Sequence, residues 1–113
     1  MQKEYYFKEG CFIEEWMNTR DHDDMSIARA RVEVGTETKV HAIKNTVERY
    51  AILNGTGTVT VAEKSWQVSV GDVVNIEPEQ AQKISNTGAE DLIFLAICTP
   101  RFQPSNYVDL SKQ

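Results

Sequence analysis

An all-β sandwich or barrel is the fold class that this sequence predicts, on three observations. The stretch "SIARARVEV", residues 26–34, alternates strictly, with Ala28, Ala30, Val32 and Val34 on one face and Ile27, Arg29, Arg31 and Glu33 on the other. A period of two is the mark of a strand whose faces meet different surroundings. Turn signals recur at short intervals, at Gly35, at "NGTG" (Asn54 to Gly57), at Gly71-Asp72 and in "NTGAED". No stretch sustains a helical period, apart from a possible turn near the tail. Many short, evenly spaced strands build sandwiches and barrels.

The elements follow in order. After the alternating strand, Gly35 turns the chain into "KVHAI", and "VERYAIL" is the next strand. "NGTG" reads as a hairpin turn, because Asn-Gly supplies the positive φ of the primed turns. "TVTVAE" and "SWQVSV" follow, joined near Lys64, then "VVNI", then "AQKISN" after Pro78. "LIFLAIC" is apolar on both faces, as a strand buried on both sides is. In a small β domain the second apolar face often meets another subunit, so a homodimer is expected. The tail "TPRFQPSNYVDL" carries Phe102, Tyr107 and Leu110 and is expected to pack across the outside.

A chain of 113 residues with a formal charge of -5 reads as one domain, 1–113, with N-terminal strands in 1–25 and a packed tail in 99–113. A domain of this size buries roughly 65% of its unfolded surface, enough for a single core. Lys and Arg are scattered among acids, which argues against nucleic acid and anionic membranes as partners. "MQKEYYFKEG" has no long apolar run, so neither a signal peptide nor a membrane span is expected. Cys11 and Cys98, the two cysteines, read as reduced, half-buried thiols, and a cytoplasmic location goes with that.

Two spacings carry the functional signal. The first runs Gly35, five residues, His41, one, Ile43, four, Glu48, six, Gly55. The second runs Gly71, five residues, Glu77, one, Glu79, two, Gln82, three, Asn86. Together they resemble the two motifs of the cupins over about residues 26–98. The first matches at every position except Ile43, where the family has a second histidine. The second keeps its ends and spacing but replaces Pro, Gly and His, and Pro78 sits one place late. The resemblance implies a double-stranded β-helix, the jelly-roll cupin barrel, with its site at the mouth.

On that resemblance His41, Glu48 and Gln82 are the candidate metal ligands. One imidazole, one carboxylate and one amide oxygen form a hard set suited to Mn, Fe(II), Ni or Zn. A divalent ion so held keeps net positive charge, which favours an anionic substrate. Without a metal, the same three side chains form a satisfied polar cluster. Glu48 is the candidate proton mover, and Tyr50, on its strand face, a candidate acid or, more plainly, a core tyrosine. Ile43 gives the pocket an apolar wall. Lys39, two before His41, is a candidate anion contact or a surface lysine. Arg29 and Arg31 either reach the interior to pair a substrate anion or pair acids on the outer sheet.

Other features read as structure. His22 in "RDHDDM" reads as part of a solvated loop rather than an accessory metal site, and Glu77 and Glu79 as solvent-facing rather than as added carboxylate ligands. Trp16 and Trp66 are packing or dimer contacts, since no basic groove accompanies them. No serine-triad context, phosphate loop or dinucleotide fingerprint is present. The leading expectation is a metal-dependent enzyme, isomerase- or dioxygenase-like, acting on a small oxygenated metabolite. The alternatives are a non-catalytic module that binds or senses a small molecule, and a metal-free acid–base enzyme using His41 and Glu48.

Overall fold

The computed structural model describes residues 3–111. Eleven strands run through them: β1 Tyr5–Phe7, β2 Cys11–Met17, β3 Ser26–Val32, β4 His41–Ile43, β5 Val47–Asn54, β6 Gly57–Val61, β7 Lys64–Val68, β8 Val73–Ile76, β9 Gln82–Asn86, β10 Leu92–Thr99 and β11 Tyr107–Asp109. A single 3-10 turn, Pro104–Asn106, precedes β11. The strands form two antiparallel sheets, ordered β1-β2-β3-β10-β5-β8 and β11-β4-β9-β6-β7. No helix among the described residues is long and apolar enough to cross a membrane.

Strand alternation sorts the side chains as the pattern requires. In β5, Glu48, Tyr50 and Ile52 are buried while Arg49 and Leu53 are exposed. In β3, Ser26, Ala30 and Val32 are buried on the inner face. Inner residues of both sheets, among them Val32, Ile52, Val59, Ile84, Leu92 and Phe94, make one core. The ring of Tyr50 packs against Phe94 with centroids 4.4 Å apart. β10 lies between β3 and β5, the central place that suits a strand apolar on both faces.

Two expectations about chain path are corrected. "NGTG" is not a hairpin. β5 belongs to the first sheet and β6 to the second, so the turn is a corner between sheets. The same chemistry serves both uses: Gly55 adopts φ +82°, and a Cβ there would lie 2.6 Å from the Asp91 carbonyl oxygen. The tail does not lie across the outside. β11 pairs with β4 as an edge strand of the second sheet, Tyr107 opposite Ile43 and Asp109 opposite His41. The two cysteines are free, as expected, but fully buried rather than half-buried.

Candidate functional site

Three strands deliver the residues named by the spacing. His41 opens β4 and sits directly opposite Gln82 of β9. Glu48 lies on β5, opposite Cys98 of β10. All three side chains are buried, His41 at 2%, Glu48 at 7% and Gln82 at 1% exposure. The Glu48 carboxylate acts on His41 electrostatically, and Gln82 lies beside both. The three residues named by the spacing therefore lie together in the barrel interior.

A cavity of about 70 Å³ opens beside them. That exceeds the roughly 10–15 Å³ that a single water needs, so the cavity can hold water. His41, Glu48, Tyr50 and Ile43 line it, as do Cys98, Tyr107 and Phe102. Much of the remaining wall is hydrocarbon, from Ile13, Ala28, Ala30, Phe94 and Ala96.

The imidazole is held from several sides. Its Nδ1 lies 2.8 Å from the Lys39 carbonyl oxygen, which can only accept, so Nδ1 carries the proton. Nε2 then presents its lone pair, 3.4 Å from Oε1 of Glu9. Tyr107 stacks on the ring, centroids 5.0 Å apart and planes 15° apart. Burial holds the His41 pKa below its ordinary value, against the opposing pull of the Lys39 carbonyl and Glu48. The ring is neutral near pH 7 and available as a base.

Glu9 was not singled out in the sequence. It sits in the β1–β2 turn, where "FKEG" has no period and a glutamate beside a glycine reads as surface. The turn is docked instead: the Lys39 N–H donates to the Glu9 carbonyl at 2.7 Å. Glu9 is 9% exposed, and its carboxyl accepts from the Cys11 thiol at 3.4 Å. Burial pushes the Glu9 pKa up to about 7. Glu48 is likewise raised to about 7, by burial first and then by the charge of Glu9. Tyr107 was read as packing, and only the pairing of β11 with β4 brings it to the histidine.

Several sequence candidates lie elsewhere. Arg29 and Arg31 point outward to Glu4, with Arg31 Nη2 2.8 Å from Glu4 Oε1, so the interior reading of both is corrected. Alternation puts them there: the alanines of β3 take the inner face. Lys39 is exposed and precedes β4, so it does not share the strand face of His41; its backbone serves the site and its ammonium does not line the cavity. Tyr50 lines the cavity, but its hydroxyl donates to the Gln82 amide oxygen. His22, Glu77 and Glu79 are exposed.

The donor set does not fit a divalent ion. Among the described residues no three His, Cys, Asp or Glu side chains are grouped so as to hold one. Gln82 does not make up the number. Its oxygen accepts from the Tyr50 hydroxyl, and its N–H groups are turned to Glu48 and His41. Ile43 supplies hydrocarbon where the motif has its second imidazole.

Residues 28–98 match the family model for the cupin domain. The chain is a cupin. A curated relative, an uncharacterized protein of Methanocaldococcus jannaschii, is 32% identical over 102 residues, covering 88% of this chain and 82% of that one. Among solved structures, this cupin is similar to a variant of Streptomyces Pac13 with uridine, at TM-score 0.82 and 11% identity, over 96% of this chain and 84% of that one. Pac13 is described as a nucleoside dehydratase. A predicted oxalate decarboxylase from Thermotoga maritima aligns at TM-score 0.79 and 24% identity, over 87% of this chain and 90% of that one. At such identities these structures establish the double-stranded β-helix and leave the chemistry to the site.

Proposed function

We propose that the barrel mouth of this cupin is an acid–base site that works without a metal. It binds a small oxygenated molecule and moves a proton on it, as an isomerase or lyase does. The observation that carries this reading is the His41–Glu9 pair. A neutral imidazole, fixed in its Nδ1–H form by a backbone carbonyl, turns its basic nitrogen to a carboxyl group inside a largely apolar cavity.

The chemistry follows from the atoms. His41 Nε2 takes a proton from a carbon or hydroxyl of the bound molecule. Glu9, near half-protonation at neutral pH, returns a proton or relays it from Nε2. Glu48 is a second carboxyl of similar proton affinity lining the same cavity, so two acids and one base border the same small volume. The hydrocarbon wall keeps water few and strengthens each of these interactions.

The test is solvent exchange. Short α-hydroxy ketones and aldehydes incubated in D2O should gain deuterium at carbon, read by NMR, and His41→Gln should abolish the gain. Compounds that bind the cavity and never exchange would count against catalysis. They would favour the second reading, a binding module, for which the apolar wall and the replacement at Ile43 speak.

A further inference from the structure

We propose that the outer face of the sheet β1-β2-β3-β10-β5-β8 is a homodimer interface, with Leu95 at the middle of its contact and a second copy of this chain as its occupant. The inference is independent of the chemistry at the barrel mouth.

The two sheets differ on their outer faces. In the second sheet the outward residues of β6, β7 and β9 are Thr58, Thr60, Ser65, Gln67, Lys83 and Ser85, all polar, as a face that meets water should be. The first sheet carries an apolar patch instead: Ile93, Leu95 and Ile97 on β10, Ala51 and Leu53 on β5, and Val73 on β8. Register makes them neighbours, with Leu95 opposite Ala51 and Ala51 opposite Val73. Leu53 and Val73 are 45% and 58% exposed. These residues alternate with Ile52, Val74 and Phe94, which belong to the core between the sheets. Among the described residues no third layer covers the outer side. An apolar patch in the middle of a sheet face marks a surface that is covered in use.

Size and charge favour a second copy. With strands about 4.8 Å apart and a rise of about 3.3 Å per residue, strands β2, β3, β10, β5 and β8 offer a flat footprint of roughly 500 Å², and side-chain relief adds to it. Stable interfaces take roughly 600–1,000 Å² from each partner, so this face is of the right size to meet its own copy. Its cations are mostly neutralised: Arg29 and Arg31 pair with Glu4, and the Arg31 guanidinium lies 4.4 Å from the centroid of the Phe12 ring. Two charges flank the patch without an ion pair among the described residues. Arg49 lies on β5, and Glu14, which accepts from the Trp16 indole at 2.7 Å, lies on β2. β5 and β2 are on opposite sides of β10. A two-fold axis along β10 therefore turns the Arg49 side of one copy toward the Glu14 side of the other, and the face is complementary to itself.

Analytical ultracentrifugation decides it. At about 100 µM the wild type should sediment as a species of twice the chain mass, since interfaces of this size reach micromolar affinity or better. Leu95→Glu puts a charge in the middle of the contact and should raise the dissociation constant at least about thirtyfold, as loss of a central anchor does. Should Leu95→Glu not fold by circular dichroism, the double variant Leu53→Glu, Val73→Glu replaces it, because both positions are already exposed in the single chain. Thr58→Glu, on the polar face of the other sheet, should leave the dimer intact. A wild type that stays monomeric at that concentration, which would hand the patch to a different partner, would overturn the proposal. So would a dimer that survives the substitutions on the first sheet, or one that Thr58→Glu breaks.

Discussion

Glu9 Oε1 lies 3.4 Å from Nε2 of His41, and the two residues come from elements that the sequence does not connect, a β1–β2 turn and the first residue of β4. The pair exists because the turn is tied by its backbone to Lys39, two residues before the histidine. Proton transfer at the mouth depends on both partners. Glu9→Gln keeps the shape and removes the titrating group, so it should lower solvent exchange by about 100-fold or more, within the usual range for a general acid–base. Single-turnover NMR measures it, and unchanged exchange would remove Glu9 from the mechanism.

The raised carboxyl pKa values give a definite sign to the pH dependence of stability. Glu9 and Glu48 bind protons more tightly folded, at about 7, than unfolded, near the ordinary carboxyl value of 4.5. The folded state therefore holds extra protons between those values, and stability falls as pH rises through that window, by on the order of a few kcal/mol. His41, held low, acts in the opposite sense below 6.5. Comparing Tm against pH for wild type and Glu9→Gln cancels the histidine. The variant should show the shallower fall from pH 5 to 8, and parallel curves would contradict this.

Tyr107 should set the basicity of His41. Its ring covers one face of the imidazole and contributes to the burial that lowers the histidine pKa. Tyr107→Ala should let water in and raise that pKa toward the ordinary value of about 6.5. An NMR titration of the imidazole reads the change directly. Tyr107→Phe keeps the ring and should leave the pKa where it is.

The corner between sheets offers a test of the fold. A Cβ on Gly57 would approach the Ser85 carbonyl oxygen to 2.6 Å and the Leu92 side chain to 2.8 Å. The first contact is backbone and cannot yield cheaply. Gly57→Ala should therefore destabilise by roughly 2 kcal/mol or more, whereas Gly71→Ala meets no atom within 4 Å and is charged only with its positive φ of +96°. Urea denaturation of the two variants gives the comparison.

Much of this was legible in the sequence because strand physics is local. Strict alternation in β3 and β5 names the inner residues, and the spacing around His41 and Glu48 places both on inner faces. Gly55 announced a turn, yet the same positive φ serves a hairpin or a corner, and only the pairing of β5 and β6 with different neighbours decides between them. Glu9 was invisible because its burial comes from docking between distant segments. Tyr107 was legible as an apolar anchor but not as a site residue, since a three-residue edge strand gives no period to read. Gln82 was read as a ligand from its place in the second motif; its hydrogen bond from Tyr50 depends on strand pairing that the spacing does not show.

Nitrogen NMR of the His41 ring across pH 5 to 9, with and without Mn2+ or Zn2+, tests the central claim most directly. A neutral Nδ1–H imidazole near pH 7, an Nε2 resonance that follows the titration of Glu9, and indifference to added metal are the expected results. An Nε2 bound by metal at stoichiometric concentration, or a proton on Nε2 in place of Nδ1, would contradict the account.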